Sequence, residues 1–164
     1  MRILGIDPGY GITGFGLIEG NRANCRLLQC GAITTPAGMD FPARLSIIYT
    51  DMVQLLEASK PDAVAIEELF FGQNVTTGIG VAQSRGVILL AIAQAGIPIH
   101  SYKPSQVKQA VVGYGNAEKR QVQEMTKRIL HLEKIPKPDD AADAVAIALC
   151  HARSSTSLLT SLRN

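Results

Sequence analysis

The sequence begins with a short apolar run that ends on an acidic residue and a turn. Residues 2–7 read RILGID, and Pro8-Gly9 follows at once. A run of this length that stops at Pro-Gly is typical of a buried β-strand entering a turn. An ionised side chain in that place is either exposed to water at the edge of a sheet or kept there because it has a functional role. The pattern predicts a fold built on a sheet, with Asp7 at the end of its first strand.

The remaining patterns predict an α/β fold, a mixed five-stranded sheet flanked by helices. The first three strands form a meander, and the later strands alternate with helices, as parallel strands joined by right-handed crossovers do. The predicted strands cover residues 2–7, 13–19, 26–34, 63–67 and 97–102. The predicted helices cover residues 41–58, 77–95, 104–112, 117–132 and 139 to about 153, with Asn116 capping the fourth and Gly96 closing the second. In such sheets, function lies at the carboxyl ends of the strands.

Length and composition fit one globular domain in the cytoplasm. The chain has 164 residues, of which 46% are hydrophobic. We expect the domain to span residues 1–153 and a Ser- and Thr-rich flexible tail to span 154–164. The longest apolar tract, Val87 to Ala95, is shorter than the ~18 residues of a membrane span. The N-terminus lacks the pattern of a signal peptide, so we expect no membrane partner.

Positive charge is concentrated in one part of the chain. Residues 101–128 carry 6 basic and 2 acidic side chains, whereas residues 1–100 carry 6 basic and 8 acidic ones. A basic segment beside a mildly acidic remainder favours a polyanionic partner. A solvated helix face produces the same pattern, so the charge distribution alone leaves both interpretations open.

Acidic residues stand at the ends of three predicted elements. They are Asp7 after the first strand, Glu67 and Glu68 after the strand at 63–67, and Asp139, Asp140 and Asp143 at the start of the last helix. Each has an ordinary explanation, as a turn former, a strand end reaching water or a helix cap. Asp140 and Asp143 share a helix face, however, and the alanines around them let the helix lie close to a sheet. Carboxylates that converge from separate elements repel one another unless a cation lies between them.

This acidic set predicts metal-assisted phosphodiester chemistry. All-oxygen ligation favours magnesium or manganese, and two such ions can generate a hydroxide and stabilise the leaving oxygen. No G-x-S-x-G segment is present, and the three histidines are scattered. The three cysteines are odd in number and lack C-x-x-C spacing, which argues against a disulfide framework and a zinc ribbon.

A series of short segments carries a family resemblance. They are Leu4 to Gly9 (LGIDPG), Thr13-Gly14, Ala65 to Glu67 (AIE), Gln83 to Gly86 (QSRG), Gln106 to Gly115 (QVKQAVVGYG), Ala117 to Lys119 (AEK) and Asp140 to Ala148 (DAADAVAIA). In this order they closely resemble the bacterial RuvC family of Holliday junction endonucleases, which has the ribonuclease H-like fold. LGIDPG alone is weak, but its combination with VKQAVVG and DAADA is specific.

The resemblance implies a catalytic site of four carboxylates. Asp7, Glu67, Asp140 and Asp143 match the family's acidic residues, which bind two magnesium ions, with manganese as a substitute, and Asp7 matches the ligand shared by both ions. The neighbouring acids Glu68 and Asp139 lie outside the family pattern and are excluded from the predicted site.

The resemblance also implies residues that contact DNA. Phe70 resembles the family aromatic that stacks on a base near the junction centre, and such stacking contributes ~1 to 3 kcal/mol. Lys108 and Lys119 match basic residues on the DNA-facing side, and both lie in the basic segment, where they suit phosphate contacts. Arg85, in the second helix, fits either a DNA contact or a local pair.

The implied function is the resolution of four-way Holliday junctions in recombination and repair. The family is dimeric, and a homodimer suits paired symmetric nicks in a two-fold symmetric junction. The apolar helix at 77–95 is our candidate for the interface, although such a helix is equally often core. The resemblance further implies 5′-phosphate ends and the branch-migration proteins RuvA and RuvB as partners.

Three other functions fit parts of the sequence. Gly5 to Gly9 with Thr13-Gly14 also resembles a phosphate loop of the actin and sugar-kinase ATPases, but this chain is too short for their two lobes. A non-catalytic junction-binding scaffold would keep the basic segment while losing carboxylates, and all four are present. Another ribonuclease H-like nuclease is the third alternative, against which VKQAVVG and AEK argue.

Overall fold

The computed structural model describes residues 1–69 and 75–161. Its strands are β1 (Arg2–Asp7), β2 (Ile12–Gly20), β3 (Cys25–Thr34), β4 (Ala63–Glu67) and β5 (Ile99–Tyr102). Its helices are α1 (Phe41–Ser59), α2 (Val75–Gln94), α3 (Pro104–Val112), α4 (Lys119–Ile129) and α5 (Asp139–Ser161). The predicted order of strands and helices is confirmed.

The strands form one mixed sheet in the order β3-β2-β1-β4-β5. The β1–β2 and β2–β3 pairs are antiparallel, whereas β1–β4 and β4–β5 are parallel. The predicted α/β fold with a mixed five-stranded sheet is therefore confirmed. Because β1, β4 and β5 run in the same direction, their carboxyl ends, at Asp7, Glu67 and Tyr102, lie at one edge of the sheet.

Helices cover both faces of the sheet, so the core has two halves. On one face, α1 and α2 pack against Leu4 and Ile6 of β1 and their neighbours in β4. On the other face, α3, α4 and α5 pack against Ile3 of β1 and Ala65 of β4. Side chains alternate along a strand, and Asp7 therefore projects to the same face as Ile3, towards α5.

Glycines let α5 lie directly on the sheet. A Cβ atom at Gly5 would lie 2.0 Å from the carbonyl oxygen of Ala144, and one at Gly14 would lie 2.0 Å from that of Asp140. At Gly16 it would lie 2.5 Å from a side-chain carbon of Val145. We call Gly5, Gly14 and Gly16 the glycine seat, because any side chain at these positions would displace the helix.

The start of α4 differs from the prediction. The helix begins at Lys119 with Glu118 as its N-cap, not at residue 117 with Asn116 as the cap. The amide of Glu118 donates to Oε1 of Gln121 at 2.8 Å. A side chain from the first turn of the helix thus satisfies the hydrogen-bond donor of the N-cap residue. Ala117 is 1% exposed and packs in the core before the helix begins.

Three other elements differ from the predicted limits by two or more residues at one end. The second helix spans Val75–Gln94 rather than residues 77–95, and Gly96 follows it in a left-handed conformation. The last strand begins at Ile99 rather than at residue 97, because the amide of Ile97 donates to the carbonyl of Ile92 and Pro98 has no amide hydrogen. The last helix continues to Ser161 instead of ending near residue 153. Flexibility of residues 154–164 stays a prediction.

Helix α2 combines an apolar composition with wide exposure. Of the helices described, it is the one that could cross a membrane by length and composition, with a mean hydropathy of 1.4 over its window. Only 22% of that window is buried, and core helices of soluble proteins pass the same test. Much of α2 is therefore exposed in the described structure.

Candidate active site

Two acidic residues lie side by side at the ends of β1 and β4. Ile6 pairs with Ile66 in the parallel register, so the next residues, Asp7 and Glu67, are neighbours across the two strands. Both isoleucines are fully buried, and each strand changes from apolar to acidic in a single step. The alternation of side chains directs both carboxylates towards α5.

The first two turns of α5 bring two more carboxylates to this edge. Asp7 pairs with Gly14 across β1 and β2, and Gly14 lies against the main chain of Asp140. Asp143 follows three residues later on the same helix face and lines a cavity with Glu67. Strand ends and a helix start, far apart in the sequence, thus meet beside the glycine seat.

The electrostatics of Asp7 reflect this crowding. Burial, followed by the negative charges of Glu67, Asp143 and Asp140, raises the pKa of Asp7 to about 8, against the lowering effect of Lys119. Burial and the carboxylate of Asp143 also raise the pKa of Glu67. Ionised carboxylates at this edge destabilise one another, which is the condition that a bound cation relieves.

Two lysines supply positive charge at the same place. Nζ of Lys119 donates to Oδ2 of Asp143 at 2.8 Å, and this hydrogen bond raises the pKa of Lys119. The positive charges of Lys108 and Lys119 oppose the rise in the pKa of Glu67. Both lysines line the cavity of about 260 Å³ that Glu67 and Asp143 border.

Glu67 and Asp143 border one cavity, but the four carboxylates do not close on a single point. Within residues 1–69 and 75–161, no three His, Cys, Asp or Glu side chains lie at the spacing of an assembled metal centre. Lys119 neutralises part of the charge of Asp143 instead. The donor set nevertheless fits hard divalent cations, because all four candidate ligands offer carboxylate oxygens.

Comparison with known proteins decides the family. A model of the RuvC family, described as crossover junction endodeoxyribonuclease RuvC, matches residues 3–151. The chain is 57% identical over 158 residues to the crossover junction endodeoxyribonuclease RuvC of Chloroflexus aurantiacus, covering 96% of each chain. The chain belongs to the RuvC family.

Solved structures of RuvC agree with this assignment. The Thermus thermophilus RuvC structure matches with a TM-score of 0.88 at 38% identity, covering 96% of each chain. T. thermophilus RuvC in complex with Holliday junction substrate matches with a TM-score of 0.91 at 36% identity, again covering 96% of each chain. The ribonuclease H-like fold that the resemblance implied is confirmed.

The structure describes most of the residues that the RuvC resemblance singled out. It brings Asp7, Glu67, Asp140 and Asp143 to one edge, with Lys108 and Lys119 beside them. Phe70, predicted to stack on a base, lies outside the described residues, and its role stays a prediction.

The two acids excluded from the predicted site have other surroundings. Asp139 is exposed, and Nζ of Lys137 lies 3.3 Å from its Oδ1. The amide of Glu68 donates to the carbonyl of Tyr102 at 2.8 Å, which continues the pairing of β4 with β5 beyond Glu67. Neither residue appears among the charges that shift the pKa of Asp7.

Sequence reasoning missed two features of this RuvC-family site. The sequence predicts only a DNA contact for Lys119, but this residue also forms an ion pair with Asp143. For Arg85 the sequence fits either a DNA contact or a local pair, and in the structure its Nε donates to the carbonyl of Glu67 at 3.0 Å. The QSRG segment marked the position of Arg85 without indicating which atom it contacts.

Proposed function

We propose that this chain resolves four-way Holliday junctions by paired symmetric nicks, as a structure-selective endonuclease that uses two divalent metal ions. The observation that carries the proposal is the crowding of Asp7, Glu67, Asp140 and Asp143 beside two lysines. Membership of the RuvC family and similarity to a RuvC in complex with Holliday junction substrate support the choice of junction DNA as substrate.

Magnesium is the proposed metal, with manganese as a substitute. By resemblance to the RuvC family, Asp7 is the ligand that both ions share, and the other three carboxylates all raise its pKa. We therefore assign Asp7 to both ions, and Glu67, Asp140 and Asp143 to one or the other. When bound, the ions would activate a water molecule and stabilise the leaving oxygen at the scissile phosphate, giving a 5′-phosphate end.

Lys108 and Lys119 are proposed to bind the DNA backbone next to the acids. Both side chains border the cavity, and Lys119 is more than half exposed despite its ion pair. Cations at this position offset the repulsion between phosphates and carboxylates, and backbone contacts give affinity that does not depend on sequence. We propose that Phe70, three residues after Glu67, stacks on an unpaired base.

Paired nicks require two such sites, and α2 offers a surface for a homodimer. Ile79 and Leu90 are each 52% exposed, and Gln83, Gly86 and Ala93 lie on the same face at spacings of three and four residues. A stripe of apolar and small residues of this kind, interrupted by Gln83, favours a partner. We propose that two copies of α2 pack together, and that Leu90→Glu yields a monomer in light scattering after gel filtration.

Two further parts of the proposal rest on family membership. We propose that the protein acts on DNA in the cytoplasm, without a membrane partner. We also propose RuvA and RuvB as its branch-migration partners, which a pull-down on junction DNA with the three purified proteins would test.

The deciding experiment compares a mobile synthetic four-way junction with a linear duplex of matched sequence. Each is incubated with the protein in EDTA, Mg²⁺ or Mn²⁺, and the strands are mapped on denaturing gels. We expect symmetric nicks of like polarity in the junction alone, and only with metal. Tight binding without cleavage in either metal would favour the non-catalytic scaffold, and equal cleavage of the duplex would favour another ribonuclease H-like nuclease.

A further inference from the structure

Two adjacent residues of α2 bind the chain at the ends of β1 and β4, the strands that carry Asp7 and Glu67. Oγ of Ser84 donates to the carbonyl of Gly9, two residues after Asp7, at 2.9 Å. Nε of Arg85 donates to the carbonyl of Glu67 itself at 3.0 Å. Two consecutive residues of one helix thus contact the backbone at the ends of both strands that carry the acids.

These contacts come from the face of the sheet opposite the carboxylates. Helix α2 packs with α1 on the face of Leu4 and Ile6, whereas Asp7 and Glu67 project towards α5. Ser84 is fully buried, so its hydroxyl contacts the turn rather than solvent. The two residues can therefore act on the carboxylates only through the main chain.

The Gly9 turn is held from a second side. The hydroxyl of Thr13 donates to the carbonyl of Gly9 at 2.6 Å, and Thr13 is fully buried. A Cβ atom at Gly9 would lie 2.2 Å from the carbonyl oxygen of Ile12, so the turn is tight. Ser84 fixes an already compact turn to α2, which itself is anchored by the buried side chains of Ile88 and Ile92.

Arg85 is likewise held at two points. Its second nitrogen donates to Oγ of Ser101 in β5 at 3.1 Å, while Nε contacts Glu67 in β4. The guanidinium group therefore bridges the last residue of β4 and the penultimate residue of β5, two parallel strands. This geometry favours a local structural role for Arg85 over a DNA contact, because two of its donors are already directed at the sheet.

We propose that Ser84 and Arg85 are positioning residues, which fix the separation of Asp7 and Glu67 by holding the backbone after each strand to a single helix. The inference rests on the proposed function, since these two carboxylates are taken to share a metal ion. Interactions that orient a ligand without touching the metal commonly change metal affinity 10- to 100-fold.

The first measurement is the affinity of the protein for Mn²⁺ in the absence of DNA. Electron paramagnetic resonance detects the binding. Arg85→Met removes both donors and keeps the length of the side chain, and we expect about 10-fold weaker Mn²⁺ binding. Arg85→Lys retains one donor and should recover part of the affinity. Arg22→Met, which removes a positive charge from the turn at the opposite end of the sheet, is the matched control and should bind as the wild type does.

Ser84→Ala tests the other contact without altering the length of α2. Because Thr13 still donates to Gly9, we expect a smaller loss of Mn²⁺ affinity than for Arg85→Met. This variant keeps the proposal falsifiable if Arg85→Met folds poorly. Wild-type Mn²⁺ affinity in both Ser84→Ala and a folded Arg85→Met would overturn it.

Junction binding in EDTA separates positioning from direct contact with DNA. We expect Arg85→Met to bind the four-way junction as tightly as the wild type, and to need about 10-fold more Mn²⁺ for half-maximal cleavage. Weaker junction binding with unchanged Mn²⁺ affinity would overturn the positioning role and make Arg85 a DNA contact.

The same experiments distinguish failure of this inference from failure of the proposed function. A wild-type protein that binds Mn²⁺ but cuts no junction would overturn the nuclease proposal, while the Mn²⁺ affinities of the variants would still test positioning. A wild-type protein that cuts, with an Arg85→Met variant that has the same Mn²⁺ affinity and metal requirement, would overturn positioning alone.

Discussion

The two faces of the sheet differ in the size of the residues that pack on them. On the face of α5, small residues predominate, and the glycine seat lets the helix main chain touch the strands. On the face of α1 and α2, large side chains such as Met52, Ile88 and Ile92 fill the core. Close approach of backbones brings carboxylates of α5 to a strand end, whereas on the bulky face the charged side chain of Arg85 reaches the strands only through a backbone carbonyl and a hydroxyl. The chemistry and the larger hydrophobic anchors thus lie on opposite sides of the same strands.

The largest effect is expected where the α5 face loses a charge. Asp7→Asn should lower kcat for junction cleavage about 1000-fold, because we propose Asp7 as a ligand of both metal ions and its loss would remove several kcal/mol of transition-state stabilisation. Junction affinity in EDTA should not fall, since the lysines are untouched. Single-turnover cleavage and gel-shift titration measure the two quantities. A loss of junction binding in this variant would contradict the separation of acidic and basic functions.

A methyl group in the glycine seat should act on stability rather than on charge. Gly5→Ala places a Cβ atom 2.0 Å from the carbonyl oxygen of Ala144, which cannot move without the helix, and overpacking of this kind costs about 3 kcal/mol. Gly38→Ala is the control, since nothing lies within 4 Å of a Cβ atom there. Chemical denaturation should show a large loss for the first and little change for the second. Equal effects would mean that α5 can shift freely.

The pH dependence of stability should differ with and without metal. Because Asp7 has a pKa of about 8 in the folded protein, well above the unfolded value of 3.8, the folded state retains a proton that the unfolded state loses. In EDTA, stability should therefore fall as pH rises between these values, by at most about 1.4 kcal/mol per pH unit for this group. Asp7→Asn should flatten the profile.

Thermal unfolding of wild type and Asp7→Asn at pH 5 to 8 is the measurement. Saturating Mg²⁺ should remove most of the decline in the wild type, because a bound cation stabilises the ionised carboxylates. A wild-type profile in EDTA that rises over this range would contradict the burial of Asp7 among like charges.

The smallest effect is expected at the basic edge of the site. Lys119→Ala should weaken junction binding by about 1 kcal/mol and make the dependence of log Kd on log salt shallower by about 1. Its exposed ion pair with Asp143 contributes little to folding, about 0.2–1 kcal/mol. Gel shifts at several salt concentrations and a denaturation curve test both points. An unchanged salt dependence would mean that Lys119 pairs with Asp143 and makes no contact with the DNA backbone.

The strands could be predicted from the sequence because their signals are local. β1 and β4 are short apolar runs with clear ends, and the prediction matched both. The start of α4 could not be predicted in the same way, since Asn116 is a good cap by residue type. The burial of Ala117 in the core, which depends on distant residues, delays the helix until Lys119.

The same distinction between local sequence signals and contacts of distant residues applies to the candidate site. The resemblance supplied the four acids and two lysines, because motifs preserve which residue types are present. It did not supply the pairing of Lys119 with Asp143, which depends on how α4 packs against α5. The contact of Arg85 with a backbone carbonyl leaves no pattern in the sequence, since any residue at position 67 would offer that carbonyl.

The glycine seat has a consequence for protein design. Because α5 rests on peptide groups, the height of the helix above the strands is set by backbone dimensions and not by the volumes of interchangeable side chains. The core around α1 and α2 could then be redesigned extensively for thermal tolerance, with the offset between Asp140 and Asp7 kept constant. A redesign that replaced Gly14 or Gly16 would have to rebuild the acidic cluster from the beginning.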